Sequence, residues 1–398
     1  MPRLLWLFSF VNLVIGTGAF LITGILPELA VGLGVGVPAA GQATTAYALA
    51  TAVLAPLVLI ATGAWPRKRV LLLALALFVA GCVASAAAPN LAALLVGRVL
   101  MGMGAVFVPV VAGITLTLVQ PARRGQALAL VFLGMSLSYV VGLPLAAWIA
   151  HDHGWRAALW AGAALALLAF GLIALRVPRD IRAPGASFAG VGRVLRRPDL
   201  LAVLLLTLVY FVAIFVVFSY AAPVFRAIVP MSGERLSLTL SLFGIAGMAG
   251  TLIGGTANDR FGARRTLFAQ LSVLGTMMLL LPLTAGHWGA MMAVLLVWGA
   301  AGFGMMAPQQ TRLAAAAPRE APLLLSLNSS MLYFGTALGA ALGGALAPAL
   351  GFASLPWVGV AAVAAALVLL AAGPRLKSPA AAPLVAPGGT VPPAEGSR

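Results

Sequence analysis

LLAVLLLTLVYFVAIFVVFSYA, running from Leu200 to Ala221, is 22 residues long and carries no charge. A helix needs about 20 predominantly apolar residues to cross ~30 Å of hydrocarbon, so this segment reads as a membrane span. Working outward, eleven more stretches of the same kind appear, at 5–30, 42–64, 70–88, 91–118, 126–149, 156–175, 236–257, 266–284, 289–311, 322–349 and 354–373. All are expected to be helices, because lipid offers no partner to an unpaired backbone group. Composition agrees: 62% of the 398 residues are hydrophobic and 8% charged, against about 25% charged in a soluble domain.

The formal net charge of +16 would ordinarily raise nucleic acid or an acidic partner. Its distribution gives another reading. With both termini in the cytoplasm, all of the 24 Lys and Arg except Arg98, Arg156, Arg226 and Arg235 fall on the inner connections or inner ends. These include Arg3, the Arg67-Lys68-Arg69 turn, Arg264-Arg265, Arg319 and the tail residues Arg375, Lys377 and Arg398. Lys and Arg in short loops are retained on the cytoplasmic side, so the charge is topological and nucleic acid is excluded as a partner. The single cysteine, Cys82, lies inside an apolar run and forms no intramolecular disulfide. Arg3 and the apolar stretch after it resemble a signal peptide, but the stretch is too long and lacks an Ala-x-Ala-like cleavage site, so it reads as a retained first helix.

The spans divide into two sixes. Residues 177–198 mix charge with Pro, Gly and Ser and read as a cytoplasmic linker between an N-terminal bundle, 1–176, and a C-terminal one, 199–373. Residues 374–398, rich in Pro, Ala and Gly, are expected to be a disordered tail. The halves echo each other at an offset of about 200 residues, as internal repeats of a transporter do. Lys68-Arg69 is matched by Arg264-Arg265, Gly102-x-Gly104 with Pro109 by Gly302-x-Gly304 with Pro308, and Gly134 and Gly142 by Gly335 and Gly343. The expected fold is an all-α membrane protein, twelve transmembrane helices in two pseudo-symmetric six-helix bundles facing each other around a central path.

At the inner end of the eighth span stands Gly255-Thr-Ala-Asn-Asp259-Arg260-Phe-Gly262-Ala-Arg264-Arg265. The segment closely resembles the G-x-x-x-D-R-x-G-R-R signature of the major facilitator superfamily, and the resemblance covers residues 5–373. It implies a cytoplasmic gate in which Asp259 faces the N-terminal end of a helix in the other bundle and the arginines hold the inner side shut. Simple positive-inside charge is the plainer reading of Arg264 and Arg265. The first half departs from the pattern: Gly63-Ala-Trp-Pro-Arg67-Lys68-Arg69 has no acidic residue, so the gate is expected to be asymmetric.

Other segments look like the sugar-efflux and chloramphenicol-resistance branch of the twelve-helix drug:proton antiporters. They are Gly16-Thr17-Gly-Ala-Phe20 leading to Gly24-Ile-Leu-Pro27-Glu28, Val141-Gly142-Leu-Pro144-Leu145, Gly154-Trp155-Arg156 and Ser326-Leu-Asn328-Ser329. The branch implies proton-coupled efflux of a small drug, sugar or metabolite. It also usually carries a Glu before the Phe of Gly-Thr-x-x-Phe, where this chain has Ala19.

Two ionisable residues lie within the apolar spans. Arg98, with Gly102 following, matches an Arg-x-x-x-Gly pattern of the family, which implies a side chain turned to the bundle interior and a role in proton or substrate transfer; snorkelling to the outer surface is the alternative. Glu28, near the outer end of the first span, is placed to pair with Arg98 as a proton switch if the first and fourth spans pack together, or to sit in a solvated rim. Candidate lining residues of an apolar cavity are Phe20, Thr23, Met101, Tyr139, Tyr210, Phe211, Phe215, Trp298, Met305 and Asn328. The spaced glycines of the fifth and eleventh spans read as packing seams. His151-Asp152-His153 reads as a solvated turn, and no metal or cofactor is expected.

These readings converge on a secondary transporter of the cell membrane, not an enzyme. Its expected partners are a small-molecule substrate, protons and the lipid bilayer, and it is expected to be a monomer. Facilitated uptake without proton coupling, and a non-transporting receptor or scaffold, remain alternatives.

Overall fold

The computed structural model describes residues 2–120, 123–179, 181, 191–317 and 320–373. Residues 180 and 182–190 of the linker, Arg182 among them, Arg319 and the whole tail 374–398 therefore lie outside the described residues. Among the described residues there is no strand, and twelve helices are long and apolar enough to cross a membrane. They are α1 (Arg3–Leu33), α2 (Val37–Ala61), α3 (Arg67–Ala86), α4 (Leu91–Leu118), α5 (Gln126–His153), α6 (Trp155–Arg176), α7 (Pro198–Phe218), α8 (Gly233–Phe261), α9 (Ala263–Thr284), α10 (Trp288–Ala316), α11 (Leu323–Leu350) and α12 (Phe352–Ala372).

The repeat seen in the sequence is a repeat of packing. In the first half α1 packs on α5 and α6, α2 on α4, and α3 on α4 and α6; in the second, α7 packs on α11 and α12, α8 on α10, and α9 on α10 and α12. Lipid tails are as apolar as leucine, so helices in a bilayer associate through close backbone approach rather than water exclusion. The spaced glycines supply that approach. A Cβ at Gly134 or Gly142 would run into Ser9 or Thr17 of α1, and one at Gly335, Gly339 or Gly343 into the carbonyls of Leu208, Val212 and Val216 of α7.

The paired prolines act alike. Pro109 has no N–H for the Ala105 carbonyl, and α4 is broken between Gly104 and Phe107. Pro308 likewise has no N–H for the Gly304 carbonyl, and α10 is broken between Phe303 and Met306. In α5, Pro144 follows a π-helical turn at Ser138–Gly142 that re-aims Tyr139.

The turns differ between halves where the sequence does. Gly262, between α8 and α9, has φ 79° and ψ 156°, a region closed to L side chains. The corresponding first-half position is Pro66, with φ −55°. The described ends of the linker are docked rather than loose: the Ile181 carbonyl accepts from Arg67 N–H at 3.1 Å, and the short helix Val191–Leu195 buries Val194 against Leu200, Val203 and Leu313 at the inner end of the second bundle.

Gly134→Leu drives a side chain into the α1 backbone, an overpacking cost of at least about 2 kcal/mol. It is expected to abolish a monodisperse peak in detergent chromatography. Gly113→Leu, whose added carbon meets open space, is expected to behave as wild type.

Candidate functional site

The two bundles meet along one side. α8 packs against Ser138–His153 of α5 and barely touches the inner half of that helix. α2 packs on α11, with Gly344 close to Gln42 and the Pro38 carbonyl, and Gly41 lies against the Tyr220 ring. Gly233, at the outer start of α8, lies against His151. The only ion pair between described residues that crosses between bundles is also here, Arg226 Nη1 to Glu28 Oε1 at 3.2 Å, with side chains 27% and 23% exposed. Arg226 belongs to the short helix Ala221–Ile228, on the connection from α7 to α8.

Below this contact lies a continuous layer of aromatic rings. Phe20 of α1 touches Tyr139 of α5 (centroids 4.8 Å) and crosses to Phe215 of α7 (5.9 Å). Tyr139 reaches Phe303 of α10 edge-on (4.9 Å) and Phe218 (6.2 Å). Phe211 stacks on Phe215, and Phe243 joins Phe218 to Trp298. Edge-on and offset rings contribute about 0.5–1.5 kcal/mol per pair beyond their burial. They join the two bundles near the middle of the spans.

The inner side has no such closure. A Cβ at Gly255 would meet nothing. Asp259 is exposed, and its one hydrogen bond comes from the neighbouring Asn258 amide at 3.3 Å. Arg260 lies over the Phe261 ring, Arg265 is exposed, and Arg264 donates to the Leu370 and Ala371 carbonyls, where a cation is favoured by the α12 C-terminus. No charge network among the described residues joins the bundles at this end, where α8 makes little contact with α5.

This is the architecture of two facing repeats, and sequence comparison agrees. The family model described as Major Facilitator Superfamily matches residues 8–233 and 227–395. The chain belongs to the major facilitator superfamily. It is 30% identical over 365 residues to the uncharacterized MFS-type transporter YbcL of Bacillus subtilis, covering 92% of this chain and 94% of the relative. It is 32% identical over 359 residues to the inner membrane transport protein YdhP of Escherichia coli, covering 89% and 92%. Among solved structures it superposes on a D-xylose–proton symporter with a TM-score of 0.75 at 16% identity, over 94% of this chain and 98% of that one. It also superposes on the human organic anion transporter MFSD10 with 0.68 at 18% identity, over 92% and 99%. At such identities the likeness shows the fold alone.

Within the transporter, the expected site residues separate into two groups. Phe20, Tyr139, Phe211 and Phe215 form the layer between bundles. The others pack or bond within one bundle. Met101 is buried against Arg98, with its sulfur 3.5 Å from Nη1. Met305 is buried at the break in α10. The Tyr210 hydroxyl donates to the Gly302 carbonyl, tying α7 to α10. Asn328 Oδ1 accepts from Thr207, which in turn accepts from Gln309. Thr23 and Trp298 are buried, and the Thr23 hydroxyl and the Trp298 indole N–H have no partner.

Arg98 does face the bundle interior, and it is fully buried. It does not meet Glu28. Its guanidinium donates to the carbonyls of Gly18 and Ala19 in α1 (2.7 Å each) and Ala43 in α2 (3.3 Å), and lies 4.8 Å from the Tyr47 ring centroid. The expected Glu28–Arg98 pair is therefore corrected: Glu28 is drawn outward to Arg226, and Arg98 is held by backbone. A cation at helix centre costs about 2.5–3.5 kcal/mol on insertion scales, and three charge-assisted hydrogen bonds with one aromatic face offset it.

Sequence reasoning missed Arg226, Phe303 and Tyr47. Tyr47 had a usable signal: Tyr is enriched at membrane–water interfaces, yet it sits near the middle of its span. Arg98→Lys loses the planar fork that reaches two helices. It and Arg98→Ala are expected to lower solute flux at least about tenfold while the protein remains in the membrane fraction; wild-type flux in the Lys variant would show that charge alone suffices.

Proposed function

We propose that the transporter moves a small, uncharged amphipathic solute out of the cell by alternating access, in exchange for protons, from a multi-pass position in the inner or plasma membrane with both termini cytoplasmic. The observation that carries the alternating-access reading is one-sided closure: aromatic rings and the Glu28–Arg226 pair seal the outer half, while the signature residues at the inner end stand apart. An ion pair about a quarter exposed is expected to contribute about 1 kcal/mol, roughly a fivefold bias in a two-state equilibrium. That suits a latch which must also open. In the opposite state, Asp259 and the arginines around it are the residues that would meet the first bundle and close the inner side. The export direction and proton exchange rest on the resemblance to the drug:proton antiporter branch.

One observation favours the second reading, facilitated movement without proton coupling. Ala19 stands where the branch carries a Glu, its carbonyl is bonded to Arg98, and the carboxylates among the described residues of the spans lie toward span ends. Flux in proteoliposomes separates the two. Accumulation against a solute gradient when an inward proton gradient is imposed supports exchange, and equilibration indifferent to that gradient supports the second reading.

The latch has its own test, since the sole cysteine, Cys82, is buried. In a Cys82→Ser background, Gln42→Cys places a thiol at the α2–α11 contact. Its labelling from outside by an impermeant maleimide is expected to be slow, and several-fold faster when Glu28→Gln or Arg226→Gln is added. Equal rates in all three would refute the latch.

A further inference from the structure

Three arginines are buried among the described residues, Arg67, Arg98 and Arg312, each at most 5% exposed. Arg98 is held by three carbonyls and an aromatic face, and Arg67 Nη2 donates to the Gly63 carbonyl at 3.2 Å. Arg312, near the inner end of α10, is placed differently. No hydrogen bond or ion pair links its guanidinium to another described residue, and its Nη1 is enclosed without a partner. A buried cation with no counter-charge is strongly unfavourable, so its position calls for an anion.

Arg312 reaches the inner end of α12, where a Cβ on Gly373 would lie 3.6 Å from its Nη2. Arg264, from the start of α9, comes to the same turn, donating to the Leu370 and Ala371 carbonyls at 3.3 and 2.8 Å. Two guanidinium groups therefore converge on one helix end. The carbonyls there favour a cation, and Arg264 already serves them. In the first half Lys68 alone does this work, donating to the Ala174 carbonyl of α6 at 2.7 Å, and Ala112 stands 200 residues before Arg312. The second cation is thus no part of the shared packing. No described carboxylate pairs with it: Asp199 is held by Arg197 and Glu28 by Arg226, Asp152 and Glu234 lie at outer ends, and Asp259 and Glu320 form no ion pair with a described residue. The surroundings are those of a lipid-facing edge. α12 packs on α7 and α9 of its own bundle, and Phe268, one turn beyond Arg264, and Val368, just before Leu370, are exposed apolar side chains.

From this we infer that Arg312, with Arg264 beside it, binds the phosphate group of a phospholipid at the inner end of the second bundle, with acyl chains along Phe268 and Val368. A guanidinium fork matches phosphate oxygens in charge and in geometry, and basic pockets between helix ends on the cytoplasmic side hold anionic headgroups. The name of the leaflet rests on the orientation proposed above; the site does not. A phosphate here links the part of α10 beyond its break, Met306–Ala316, to the ends of α9 and α12.

The test is a titration of the delipidated full-length protein in neutral detergent, read as the rise in melting temperature of each variant above its own lipid-free value. The probes are dioleoylphosphatidylglycerol, dioleoylglycerol with the same chains and no phosphate, and inorganic phosphate. Only the first is expected to give a saturable rise. Arg312→Gln is expected to weaken it at least about fivefold, and Arg312→Lys, which keeps the charge without the planar fork, by a smaller factor. Arg176→Gln, at an exposed arginine on the matching end of α6, is expected to leave it unchanged. Equal rises with and without the lipid phosphate, wild-type affinity in the Arg312 variants, or an equal loss in Arg176→Gln would overturn the inference. A rise with inorganic phosphate matching that with the phospholipid would overturn the lipid as the source. Should Arg312→Gln fail to fold, wild-type affinity in Arg312→Lys alone decides against the site.

Discussion

Close backbone approach at glycine is the constraint on which the structure depends. Gly134 and Gly142 against α1, and Gly335, Gly339 and Gly343 against α7, let helices pack at distances that Cβ atoms would forbid. In lipid that contact replaces the hydrophobic drive available in water. The result is two bundles whose internal seams run along the helices. Between the bundles, α2 packs along α11, and side-chain rings, one ion pair and a few glycine contacts add to it from the aromatic layer outward. Alternating access would require this second contact to separate while the seams hold.

The same division explains how much was legible in the sequence. Spans, bundles and seams follow from local features, namely apolar length and glycine or proline at fixed spacing, and these appear twice. Pro109 and Pro308 were visible as matching positions of the repeat, while the helix breaks beside them, where a missing N–H acts on the residue four positions earlier, came from the structure. The helix ends moved by a few residues, as α1 begins near Arg3 rather than residue 5 and α8 extends to Phe261.

What lies between the bundles was less legible, since it depends on how two bodies far apart in sequence are set against each other. Glu28 was paired on paper with the nearest intramembrane cation in its own bundle, whereas the structure reaches across to Arg226. Arg98 read correctly as interior, but its partners are backbone carbonyls, which leave no mark in a sequence. Met101, Tyr210 and Asn328 have the residue types of a cavity and the contacts of a bundle core. Phe20, Tyr139 and Phe215 were candidates for an apolar cavity by residue type alone, and their rings meet one another between the bundles.

One-sided closure can be measured directly with nitroxides on the two ends of a single helix pair. In a Cys82→Ser background, one pair replaces Asp152 and Glu234 at the outer ends of α5 and α8, and another replaces Gln126 and Thr256 near their inner ends, all exposed positions. Double electron–electron resonance in nanodiscs should give a short, narrow outer distance and a longer, broader inner one. An inner distance shorter than the outer would contradict the account.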